Sequence, residues 1–260
     1  MVVITSDQRE VILDAVRRMY TEVAREPERG FHFATGRRAC ELEGYPAELL
    51  DRIPEKALAS FAGVGFPFAA DVIREGDVVL DIGSGSGTDA LIASSFVGPT
   101  GEVVGLDMTQ AMRQRLVENA AEMGVRNVRV IGGTAEQIPL PDGSVHIVTT
   151  NGVLNLVPDK PKAVREIHRV LRPGGWAQVS DIVLAETPSD ACRSKPELWA
   201  ECIVGATRES EYISYFQEVG FSEIEVLTHL DYFAHSPSNE TRRLAASFGA
   251  ESVVFRARRD

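Results

Sequence analysis

Two carboxylates and a run of glycines are the residues of this chain whose types and spacing point most directly to chemistry. In "LDIGSGSGTDA", Asp81 precedes Gly83, Gly85 and Gly87 in a G-x-G-x-G turn. A dinucleotide fingerprint requires G-x-G-x-x-G, because its third glycine lets the following helix pack closely on the strand. That position is Thr88 here. A carboxylate at the end of the preceding strand would repel a pyrophosphate and attract a cationic ammonium, which is the role open to Asp81. Asp107, closing "VVGLD", follows after one helix and a loop, where an acid can accept both hydroxyls of a ribose. Thr134, Ala135 and Glu136 in "GGTAEQIPL" and Asn151 at the end of "VHIVTTN" are further polar positions at strand ends. Ligands of open α/β sheets bind beyond the carboxyl ends of the strands. These residues, with Ser84 in the turn and Met108 after Asp107, should therefore surround one crevice and hold a nucleoside with a positively charged tail. The alternative is a phosphate-binding α/β domain whose glycines only tighten a turn.

The elements that must position these residues are legible from periodicity. "DVVLDIG", "GEVVGLD", "VRVIGG", "VHIVTTN" and "WAQVSDIVL" are apolar, β-branched runs of strand length, and "EIEVLTHLDYF" and "ESVVFRARR" add two more. Between the first five lie helical stretches such as "TDALIASSFV", "AMRQRLVENAAEMG" and "KAVREIHRVLRPGG". Strands alternating with helices predict a sheet that is mostly parallel and covered on both faces, seven strands in all. The first twenty or so residues predict an amphipathic helix with Val11, Ile12, Ala15, Val16 and Met19 on one face. The stretch after it is broken by Pro27, Gly30, Pro46, Pro54 and Pro67 into short helical pieces. Three segments follow: a helical cap or lid over 1–75, an α/β core over 76–183, and a substrate-side extension over 184–260 that completes the sheet.

The chain has 260 residues, 44% of them hydrophobic, and a formal charge of −11. That acidity argues against nucleic acid or an anionic membrane as partner, since phosphate binding needs clustered Lys and Arg. No run approaches the roughly 20 apolar residues of a spanning helix. The opening "MVVITSDQREVILDAV" has acids where a secretion signal has its apolar centre. A cytoplasmic protein with a small-molecule substrate is expected, and oligomeric state is left open. The three cysteines, Cys40, Cys192 and Cys202, form no C-x-x-C pair and no zinc-type spacing, so no metal site is expected. His32, between Phe31 and Phe33, is a candidate base. His168 reads as a solvated or packing histidine, and Trp176 and Trp199 as core or interface anchors.

The motifs "VVLDIGSGSGTD", "GLDMT", "AEQIPLPDGSVHIV" and "REIHRVLRPGGWAQVSD", in this order over about 76–183, resemble those of class I S-adenosylmethionine-dependent methyltransferases. The resemblance implies a Rossmann-like sheet and S-adenosylmethionine as cofactor. It assigns the methionine part to Asp81 and the glycine turn, the ribose to Asp107, and adenine to Ala135 and Glu136. Thr134 stands where many members have Asp, and Tyr20 in "MYTEVA" resembles the cap segment that closes over the cofactor. "NGVLNLVPDK" and "ELWAECIVGA" resemble the arsenite methyltransferase branch more closely, in which the cysteine matched by Cys202 binds trivalent arsenic. That branch has further cysteines at the position of Gly152 and near Val64, which this chain lacks, leaving Cys40 as the candidate partner thiolate. The implied activity is in-line methyl transfer to a small acceptor: arsenite or a methylated arsenical, or a small organic O, N, C or S nucleophile on the same scaffold. A non-catalytic module that binds S-adenosylmethionine is the third reading.

Overall fold

A computed structural model describes residues 5–188, 199 and 203–260. Each predicted strand forms, at β1 (Val78–Ile82), β2 (Glu102–Asp107), β3 (Val128–Gly132), β4 (Val145–Asn151), β5 (Leu171–Leu184), β7 (Phe221–Leu230) and β8 (Glu251–Arg259). An eighth, β6, is only Thr207–Arg208 and pairs with the end of β5. Two residues are too short to show a period in sequence, so β6 corrects the expected seven. The strand order is β3-β2-β1-β4-β5-β8-β7. Pairing is parallel from β3 through β5 and antiparallel for β8 against β5 and for β7 against β8. β5 begins earlier than its apolar run suggests, at Leu171. Its register with β4 jumps from Val145↔Leu171 to Ile147↔Trp176, so "RPGG" is taken up as a bulge where Pro173 and Gly174 cost no ladder bond.

The parallel strands are apolar on both sides because helices cover both sides. Leu80, Ile82, Val104, Leu106 and Val148 pack toward α7 (Lys160–Val170) and α8 (Glu209–Glu218). Val79, Val103 and Ile147 pack toward α5 (Thr88–Val97) and α6 (Gln110–Met123). Short cap helices α2 (Arg37–Leu42), α3 (Ala47–Leu50) and α4 (Glu55–Ala59) insert Cys40, Leu50 and Leu58 into this second layer. Most of the cap is thus built into the core. A last helix, α9 (Asn239–Phe248), precedes β8.

The first helix, α1 (Ser6–Arg25), starts at a capping box between Thr5 and Gln8 and stops before Pro27. Its buried residues are Ile12, Val16, Val23 and Ala24, while Val11 is 48% exposed. The apolar stripe is therefore rotated from the expected one, because α1 rests against the rim of the sheet and α6 and is half-covered along its length. Among the described residues no helix is long and apolar enough to cross a membrane.

Candidate active site

One deep pocket opens at the carboxyl ends of β1, β2 and β4, and Asp81, Gly83, Ser84, Gly85, Asp107, Met108, Thr134, Ala135, Glu136, Asn151 and Tyr20 all line it. It encloses about 1020 Å³ counting its mouth. Gly87 is outside the lining. It supplies the left-handed turn (φ +104°) that starts α5, where a Cβ would stand 2.2 Å from Leu116 Cδ1. Gly83, also left-handed (φ +70°), lies against Val153, whose Cγ2 would be 2.3 Å from an added Cβ.

The backbone of this turn is unsuited to phosphate. The amides of Gly83 and Ser84 both donate to Leu106 O, at 2.7 and 3.0 Å, and Gly85 N–H donates to Asp107 Oδ2 at 3.0 Å. In phosphate-binding turns such amides point at the anion. Here they tie β1 to the end of β2, and the pocket presents carboxylates instead.

Asp81 is 2% exposed, and its Oδ2 meets no hydrogen-bond donor among the described residues. Burial, reinforced by Asp89 and Asp107 nearby, holds its carboxyl well above the usual range. Asp107 is held upright by Gly85 N–H and by Thr109 N–H, which donates to Oδ1 at 2.7 Å. Burial outweighs these bonds and raises its pKa too. Among the described residues no lysine or arginine lines the pocket. A crowded, buried carboxylate with an open oxygen is completed by a cation, and Asp107 keeps lone pairs free for hydroxyls. An amino acid's ammonium, a sulfonium and a ribose fit this donor and acceptor set; a pyrophosphate does not.

Asn151 lines the pocket with its side chain fully engaged by the protein. Its Nδ2 reaches Gly65 O (2.9 Å), Tyr45 Oη (3.0 Å) and Asp89 Oδ2 (3.0 Å), while its Oδ1 accepts Val64 N–H at 2.7 Å. It is the joint that pins the 61–65 loop to the sheet. Asp89 was not foreseen. It lines the pocket, accepts Tyr45 Oη–H at 2.6 Å, and is pushed up to about 6 by burial against the opposing pull of Tyr45 and Asn151. The only sequence signal was an acid in the first turn of the helix after the glycines, a common position for a dipole-stabilised carboxylate. Leu13, Val16, Phe61, Met112 and Val153 also line the pocket and gave no signal beyond being apolar.

Glu136 is likewise taken up by the protein: its Oε1 accepts Asp159 N–H at 2.9 Å and its Oε2 pairs with Arg9 of α1. Tyr20 reaches the pocket from α1 and stacks on Phe33 with centroids 6.4 Å apart. His32 does not line the pocket. Its ring meets Phe33 edge-on at 4.7 Å and its carbonyl accepts Ser236 Oγ–H at 2.6 Å. Cys40 is fully buried beside Tyr45 and Leu50, outside the pocket, and burial pushes its thiol up. Cys192 and Cys202 lie outside the described residues. His168 packs edge-on against Phe221, Trp176 lies under Arg256 and Arg258, and Trp199 is buried beneath Lys160.

A sheet in the order 3-2-1-4-5-8-7 with acids at the ends of its first two strands defines the class I methyltransferase fold. Comparison with known proteins agrees: residues 73–220 match the model of the methyltransferase domain family, and the chain belongs to that family. It is similar to the arsenite methyltransferases of Halobacterium salinarum (35% identity over 183 residues, 70% of this chain and 46% of the relative) and of Homo sapiens (32% over 190 residues, 70% and 50%). It spans about half the length of these curated relatives. It is also similar to the demethylmenaquinone methyltransferase of Listeria welshimeri (31% over 180 residues, 60% and 75%). Among solved structures, an arsenic(III) S-adenosylmethionine methyltransferase from Chlamydomonas reinhardtii superposes with a TM-score of 0.64 at 30% identity, covering 86% of this chain and 74% of that one.

Proposed function

We propose that this chain is an S-adenosylmethionine-dependent methyltransferase acting on a small molecule, with Asp81 facing the cofactor's ammonium and Asp107 its ribose. The observation that carries the reading is the buried, open carboxyl oxygen of Asp81 beside the glycine turn. When bound, the cofactor supplies a methyl group activated by a positively charged sulfur. The protein's part is to hold donor and acceptor in line and keep water away, which for oriented reactants is a large share of a barrier. Leu13, Val16, Met108, Val153 and Leu156 give the pocket dry walls, and in them the carboxylates act at short range with little screening. The cytoplasmic setting expected from the sequence goes with this activity.

For the acceptor, two readings remain in play. Arsenite is supported by the likeness to arsenite methyltransferases, with Cys202 as the thiolate. A small organic acceptor is supported by a specific contact: Gly152, at one of the branch's cysteine positions, lies against Val64, near the other, a Cβ on Gly152 being 3.2 Å from Val64 Cγ1, and neither residue supplies a thiol. Cys40, buried in the core, is poorly placed to replace them. The organic reading is the one we favour. Turnover to S-adenosylhomocysteine tests both, with arsenite plus glutathione in one arm and apolar phenols, thiols and quinols in another. Turnover with arsenite alone would reverse the preference. Cofactor binding with no turnover in either arm would favour the non-catalytic reading.

A further inference from the structure

Arg9, Leu13, Val16 and Tyr20 follow one another at helical spacings of four, three and four, so they form one stripe along α1. Leu13, Val16 and Tyr20 line the pocket, and Arg9, at the end of the stripe, pairs with Glu136 Oε2. The two partners are unequal. The Glu136 side chain is 1% exposed and already fixed by Asp159 N–H, whereas the Arg9 side chain is 36% exposed and on the lid. Two exposed side chains in such a pair contribute little, but a buried carboxylate is costly to leave without its partner. At its other end α1 is anchored: Val23 and Ala24 are buried against Met112, and Arg115 Nε donates to Ala24 O at 3.1 Å. The helix is thus held near Ala24 by burial and a hydrogen bond, at Ile12 and Val16 by burial, and at its free end by the Arg9 pair.

We infer that Arg9 is a positioning residue that fastens α1 across the cofactor pocket by pairing with Glu136. Glu136, which the family resemblance assigns to adenine, then serves the lid through Oε2 while its Oε1 holds Asp159 N–H. The inference rests on the pocket being the cofactor site: a molecule leaving it must wait for α1 to lift, and lifting α1 breaks this pair. The pair acts on exchange of the ligand and not on the sheet beneath it. Arg9→Ala should leave the fold intact because the guanidinium packs no core, and Arg9→Lys should keep a cation in reach of Glu136 while giving up the planar fork.

The test is the rate at which excess S-adenosylmethionine displaces S-adenosylhomocysteine from the full chain, followed by stopped-flow fluorescence, together with hydrogen exchange of the amides of residues 6–13 in the ligand-free protein. Arg9→Ala should release S-adenosylhomocysteine about tenfold faster, the kinetic equivalent of losing one partly buried charge pair. Arg9→Lys should restore most of the difference, and exchange in residues 6–13 should rise in Arg9→Ala while the rest of the protein is unchanged. Equal release rates in all three proteins, or exchange in 6–13 unaltered by Arg9→Ala, overturn the latch. Should the unaltered protein fail to bind S-adenosylhomocysteine at all, the cofactor assignment falls, and the exchange measurement still decides whether Arg9 holds α1.

Discussion

Replacing Asp107 by Asn removes a charge while keeping the side chain's shape, and the structure fixes what that costs. The two carboxylate oxygens accept one backbone N–H each, from Thr109 at 2.7 Å and Gly85 at 3.0 Å. An asparagine has one acceptor oxygen and one NH₂, so one of those backbone donors must face another donor in a buried setting. Leaving a buried N–H unpaired costs about 1–3 kcal/mol of stability. On the ligand side, charge-assisted bonds to two hydroxyls become at best one neutral bond, and roughly 1–2 kcal/mol of affinity goes with them, about 5- to 30-fold in Kd. Calorimetry with S-adenosylhomocysteine measures this, and repeating it with the 2′-deoxy analogue isolates the contact. If Asp107 holds the ribose, the losses from the substitution and from the deoxy ligand overlap and fall well short of additive. Fully additive losses would refute the assignment, and an unchanged Kd would remove Asp107 from the cofactor site altogether.

Gly87→Ala places a Cβ 2.2 Å from Leu116 at φ +104°, so chemical denaturation should show a loss of about 1–3 kcal/mol; an unchanged midpoint would mean the turn relaxes freely. Cys40→Ser puts a hydroxyl into an apolar site and should lower stability by about 1 kcal/mol or more while leaving cofactor and arsenite binding as they were; lost arsenite binding in a folded variant would move Cys40 into the site. The pH profile should carry the mark of Asp89, whose pKa is raised to about 6 from an ordinary 3.8. The folded protein holds this proton where the unfolded chain has released it, so the group's contribution is fully present below about pH 4 and is lost as pH rises to 6, at about 1.4 kcal/mol per unit. Asp181, raised in the same way, adds to the slope, and Asp89→Asn should reduce it without abolishing it; urea unfolding at pH 4, 5, 6 and 7 with identical slopes for both proteins would count against the shift.

The strands and the long helices were legible because each must bury apolar groups at its own period, and a parallel sheet covered on both faces makes β1, β2 and β4 rich in apolar, β-branched residues. Asp81 and Asp107 were legible for the complementary reason: an acid at the end of such a strand, between Leu80 and Ile82 or Leu106 and Met108, is not accounted for by core packing. What sequence spacing could not determine is which neighbour each polar group finds. Asn151 joins the cap loop to Asp89, and Glu136 receives Arg9 from 127 residues earlier in the chain. Both partnerships depend on how α1 and the 61–65 loop settle on the sheet, a long-range packing outcome that no local period encodes. Cys40 is the clearest case. Its residue type allowed a ligand as readily as a core atom, and only the packing of α2 with α3 and α4, in a buried cluster that includes Leu50, Leu58 and Leu91, decided for the core.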